Sequence, residues 1–145
     1  LGLFYEDLPL GRKFKTVGRT ITETDIVNFV NCTGMTEVLF TDLEFVKKES
    51  DIKGRTAPGA RVFCFAEGLL MQGRMQHTGF AFLNMQLDVK GPTVAGDTIH
   101  VECEVLEQRL ASKGERGLVR FANKVVNQRG ETVLEYNPLR LLKKT

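Results

Sequence analysis

Cysteine is scarce and scattered in this sequence. Cys32, Cys64 and Cys103 lie far apart, with no CxxC and no histidine at ligand spacing. That argues against a zinc site, or any metal site, and against a disulfide framework, and it points to a reducing compartment, the cytoplasm. An excess of one charge is also lacking. The 20 Lys and Arg against 18 Asp and Glu leave a formal +2, too weak a field to mark a nucleic-acid or anionic-lipid binder. No apolar run is clean enough for a membrane span, because the longest is broken by Arg61, Glu67 and Gly68. The opening LGLFYEDLPLG carries acids and has no basic n-region, so no signal peptide is expected. The absence of an initial Met is read as a trimmed start. No internal repeat, low-complexity tract or phosphate-binding loop is visible.

What is present suits one globular domain over residues 1–145, with 42% apolar and 26% charged residues. The organising stretch is 54–76, GRTAPGARVFCFAEGLLMQGRMQ. Gly54, Pro58 and Gly59 suit a tight entry into a helix. Beyond them the stretch is apolar on nearly every side, so the helix is expected to be wrapped by other elements. About 18 residues at 1.5 Å rise give roughly 27 Å, enough to cross a small domain.

The flanking sequence supplies the wrapper. Residues 12–21 read as a strand, and Thr22-Glu-Thr-Asp25 as a capping box opening a short helix that stops at Gly34. A second box is expected at Thr41-Asp-Leu-Glu44, within an excursion over 34–58 that is long for a compact domain. Period-two alternation then predicts strands over 81–89 and 99–105, followed by 118–126 and 132–142 joined by a tight hairpin at Asn127–Gly130. The arrangement is α+β: a five-stranded antiparallel sheet curled around one long buried helix. A lone curved sheet of this kind leaves an edge unpaired, which predicts a homodimer.

The blocks FYEDLPLGRKF, GRTITETDIVNF, TGMTEVLFTDLEF, GRTAPGARVF, GPTVAGDTIHVECEV and VVNQRGETV, in that order, resemble the MaoC-like dehydratase family, the (R)-specific enoyl-CoA hydratases. The resemblance implies a single hotdog domain and an acyl-CoA thioester as substrate or ligand, with no permanently bound cofactor. It also implies a site where the excursion meets the start of the buried helix. There the N–H of Gly59, after Pro58, would hold the thioester oxygen, favoured by the helix dipole. In such hydratases an Asp and a His in a Gly-Asp-x-Asn-Pro-(Leu or Ile)-His segment handle the water and the proton. Matching Thr33-Gly34 to that segment puts Met35 at the acid, Glu37 at the asparagine, Val38 at the proline and Phe40 at the histidine. A thioether and a phenyl ring exchange no protons near pH 7, and general acid–base action is worth about 10²–10⁴ in rate. Hydration is therefore expected to be weak or lost.

Other side chains invite a role. Glu37 is a substitute base or a solvated loop glutamate. Asp42 is an actor by position but a better helix cap. Gly34, Met35, Phe40, Pro58 and Phe63 either line a substrate pocket or fill it. Cys64 reads as a small inert hydrophobe, and Glu67, in an apolar helix, needs a salt bridge or a cavity. His77 suits a surface turn and His100 a polar strand face. Lys47, Lys48, Lys53 and Arg55 would suit a coenzyme A phosphate or plain solvent. Three functions stay open: a hydratase or dehydratase, a hotdog thioesterase, and a non-catalytic acyl-CoA-binding or partner subunit.

Overall fold

The capping box at Thr22 forms as read. In the computed structural model, which describes residues 2–145, the Asp25 N–H donates to the Thr22 hydroxyl at 3.1 Å and the Thr22 N–H to the Asp25 carboxylate at 2.9 Å. They open α1 (Glu23–Thr33), which buries Ile26 and Val30 and ends at Gly34, whose φ of 74° is the left-handed turn that glycine tolerates best. The Thr22 N–H, and after it the Thr22 hydroxyl and the Arg19 and Arg61 guanidiniums, hold the Asp25 carboxyl below its ordinary value, against the effect of burial. A depressed folded pKa gives stability above the ordinary value of 3.8 that is lost as pH falls through the folded one. Asp25→Asn is thus expected to cost about 1 kcal/mol at neutral pH, a cost that shrinks as pH falls below 3.8, read from denaturant midpoints.

The excursion carries two short helices, α2 (Val38–Thr41) and α3 (Leu43–Glu49). The expected box at Thr41 does not form. Thr41 closes α2, and Asp42 caps α3 by accepting from the Glu44 and Phe45 N–H groups, both at 3.0 Å. Asp42, nearer the incoming amides, displaced Thr41 as the cap.

The long helix, α4, runs from Gly59 to Arg74, 16 residues. One face, with Val62, Phe65, Ala66, Leu69 and Leu70, is buried in the main core. The wrapping is not complete: Cys64 and Met71 are exposed within this chain. Cys64 is therefore not a buried filler; Cys103 is the buried thiol, and burial pushes it up to about 12, which keeps it un-ionised and unreactive.

The sheet has the five expected antiparallel strands, three of them interrupted. Lys13–Lys15 (β1) and Arg19–Thr20 (β2) are two halves of one strand against β5 (Thr98–Leu110). The interruption has a local cause: the Thr16 hydroxyl accepts the Val101 N–H at 3.0 Å. Next come β6 (Arg116–Val126), then β7 (Thr132–Tyr136) with β8 (Leu139–Lys143) as one broken strand. The last is β3 (Gly79–Asn84) with β4 (Leu87–Val89), pairing β8 and β7 respectively. The last two breaks meet. The Gln86 N–H donates to the Asn137 side chain at 2.6 Å, and the Asn137 N–H to the Gln86 carbonyl at 3.2 Å, beside Pro138, which has no N–H to give.

Alternation over 81–89 predicted a half-buried strand, but Leu83 and Val89 are 49% and 59% exposed and Phe80 is 49% exposed. The reason is position: among the described residues β3 pairs only β8 and β4 only β7, so both lie at the sheet edge. Among the described residues no helix is long and apolar enough to cross a membrane.

Candidate functional site

The ladder that leads into α4 also builds a cleft at its start. The Ala57 N–H donates to the Thr93 carbonyl at 2.8 Å, which ties the entry segment to the turn after β4. Pro58 follows in an extended conformation (φ −55°, ψ 142°) and gives α4 no capping side chain. Among the described residues no acceptor is assigned to the N–H of Gly59 or Ala60, whereas those of Arg61 and Val62 turn back to the Pro58 carbonyl at 2.9 and 3.2 Å. An uncapped helix start presents free donors and the positive end of the helix dipole. The approach is close: a Cβ on Gly59 would lie 3.1 Å from the Val89 side chain, which would have to give by a few tenths of an ångström.

The cleft holds about 350 Å³ and is walled by α4, the excursion and the β4–β7 pair. Phe40, Pro58 and Gly59 are among its walls, as are Thr56, Val89, Thr93 and Leu134. None of the wall residues is titratable. The surface can bind and orient an apolar group and donate hydrogen bonds, but offers no side chain to carry a proton. Thr56 and Thr93 stand out, because each buries a hydroxyl with no partner among the described residues. Leaving such a group unsatisfied costs about 1–3 kcal/mol.

Not all the residues singled out from sequence gather here. Phe63 lies one helical turn beyond Gly59, its ring edge-on to Tyr136 at 5.1 Å and to Phe82 at 6.3 Å. Gly34, Met35 and Glu37 are exposed and outside the walls, and the Glu37 carboxylate accepts the Leu39 N–H at 3.0 Å. Lys47, Lys53 and Arg55 border a neighbouring cleft of about 310 Å³, which shares Ile52 with the first. Lys48 is not among its walls. Arg55 donates to Glu23 at 2.8 Å and to the Phe40 carbonyl at 2.9 Å, and so pins the excursion over the cleft. His77 is exposed in a turn at φ 68°, and His100 lies 2.8 Å from Glu102.

Glu67 has its salt bridge. Its Oε2 accepts from Arg140 at 2.6 Å and from the Tyr136 hydroxyl at 2.7 Å, all three side chains being buried. Burial, then the neighbouring Glu67 charge, raises the Tyr136 phenol well above its usual range, so it stays a donor. Sequence reading missed Thr56, Thr93 and this partner. The available signal for the last was Arg140 within the apolar strand LRLL: a second misplaced charge is the natural partner of the first.

Comparison with known proteins agrees with this architecture. The family model for the FAS1-like dehydratase domain region matches residues 9–136. A monoamine oxidase regulatory protein from Archaeoglobus fulgius superposes with a TM-score of 0.87 at 32% identity, over 99% of this chain and 96% of that one. A MaoC-like dehydratase from Rhodospirillum rubrum does so with 0.87 at 25% identity, over 99% of both chains. The R-hydratase PhaJ1 from Pseudomonas aeruginosa, unliganded, gives 0.80 at 25% identity, over 99% and 88%. No curated protein matches. An antiparallel sheet packed on one long helix, an amide at that helix's start with no acceptor among the described residues, and a match along most of the chain converge: this protein belongs to the FAS1-like dehydratase family, the MaoC-like hotdog proteins.

Proposed function

We propose that the protein takes acyl thioesters of coenzyme A in the α4 cleft, with the Gly59 N–H receiving the thioester oxygen, and that it hydrates enoyl thioesters slowly or not at all. The observation that carries this reading is a free amide at the head of a 16-residue helix, opening into walls with no titratable side chain. The amide and dipole favour charge developing on a carbonyl oxygen. The second half of hydration, delivery of water and a proton, has no agent in those walls. The adjoining cleft bordered by Lys47 and Lys53 suits the phosphates of the coenzyme, with Ile52 between the two.

The test pairs binding with turnover. A ligand specific for the folded state raises the melting temperature through RT ln(1 + [L]/Kd). An acyl-CoA is expected to raise it, while hydration of an enoyl-CoA runs about 10²-fold or more below an R-hydratase assayed in parallel. Absence of any shift would remove the thioester reading, and hydration at the R-hydratase rate would remove the claim of lost proton transfer. If a shift comes with no turnover at all, the protein is a binding or partner subunit, the reading that walls without a titratable group favour.

A homodimer is part of the proposal. The free edge of β3 offers unpaired backbone groups beside exposed Phe80, Leu83 and Met85, and a second copy of β3 would satisfy both. Sedimentation as a monomer at micromolar concentration would refute it.

A further inference from the structure

Aromatic rings stand beyond the cleft walls, along the two surfaces that those walls continue. Along α4 the face that begins at Gly59 continues to Phe63 and Glu67, one helical turn apart, about 6 Å each. Along the sheet the wall formed by the Val89–Leu134 pair continues, two residues on and about 7 Å away, to the Leu87–Tyr136 pair. The two surfaces meet where the Phe63 ring stands edge-on to Tyr136 at 5.1 Å. On the far side of Phe63 lie Phe82, at 6.3 Å, and the buried Arg140–Glu67 ion pair. Phe82 and Arg140 in turn wall a separate cleft of about 320 Å³ between the end of α4 and β3.

We infer that Phe63, braced by Tyr136, is the specificity-determining residue that stops the acyl chain and restricts the site to short acyl groups. The inference rests on the thioester reading above. An alkyl chain entering past Gly59 meets the Phe63 ring after about one helical turn. Behind the ring it would meet a charged pair that an alkyl tail has nothing to offer. Removing the ring would join the near cleft to the far one.

Chain-length dependence tests this directly. In an open apolar groove each further buried methylene raises affinity about fourfold, so decanoyl-CoA would bind far more tightly than butyryl-CoA. With the ring in place the order is reversed: butyryl-CoA is expected to bind at least about tenfold more tightly than decanoyl-CoA by calorimetry. Phe63→Ala is expected to narrow or invert that ratio, and Phe63→Leu, which keeps an apolar helix-forming side chain, to move it part of the way. Both variants are compared with the parent protein by melting temperature and circular dichroism. If the parent binds decanoyl-CoA as tightly as butyryl-CoA, the partition does not exist and this inference falls while the thioester reading stands. An unchanged ratio in folded Phe63→Leu and Phe63→Ala proteins also overturns it. If neither ligand binds the parent, both readings fall together.

Discussion

Gly59→Pro is expected to reduce whatever hydration or hydrolysis of thioesters the protein performs by about 10²–10³-fold, to the level of background, while leaving the fold intact. The magnitude is that of losing one preorganised oxyanion donor. Proline deletes the N–H and nothing else that the helix needs, because the first helical position has no intrahelical acceptor and proline is favoured there. The preceding residue must be extended, and Pro58 already is, at φ −55° and ψ 142°. Gly59→Ala is the control. It keeps the amide but brings a Cβ to 3.1 Å from Val89, a crowding that a small shift relieves. Rates of the two variants on the same thioester separate the donor from the shape. Equal losses in both would mean that the amide does not touch the reacting oxygen.

Glu67→Leu is expected to destabilise the protein by about 3–5 kcal/mol, lowering the melting temperature by roughly 10–15 °C. The pair is buried, with the Arg140 side chain 4% and the Glu67 side chain 11% exposed, so removal of the carboxylate strands a guanidinium in the core. It also takes the acceptor from the Tyr136 hydroxyl. Arg140→Met should cost a similar amount by stranding the carboxylate. The double variant Glu67→Leu with Arg140→Met should recover most of either loss, since two apolar side chains of similar volume often replace a buried pair at little cost. Chemical denaturation of all three measures the coupling. Additive losses would show that the two charges do not depend on each other.

Most of the elements were legible in the amino-acid sequence, for reasons visible at particular residues. Thr22 and Asp25 lie three apart and close a box by themselves. The alternation of Ile99, Val101 and Cys103 with His100 and Glu102 survives as buried and less buried positions along β5. Pro58 and Gly59 mark the start of α4. These are interactions within a few residues, where identity and spacing suffice. Of the residues singled out from sequence, Pro58, Gly59 and Phe40 are the ones that wall the candidate cleft.

The rest depended on encounters between distant segments. Alternation shows that a strand has two unlike faces, but not whether anything covers the better one, so β3 reads as half-buried and is an exposed edge. The same limit explains the strand breaks: the chain pauses at Thr16 because Val101 is opposite, and at Gln86 because Asn137 is. By itself the sequence determined which stretches become helix or strand, because those preferences act over one or two turns of chain. Tertiary structure alone decided that Glu67 would meet Arg140, that Thr56 and Thr93 would share a wall with Gly59, and that the Phe63 ring would stand edge-on to Tyr136. Those contacts come from packing, and packing joins residues by volume and charge without regard to their separation along the chain.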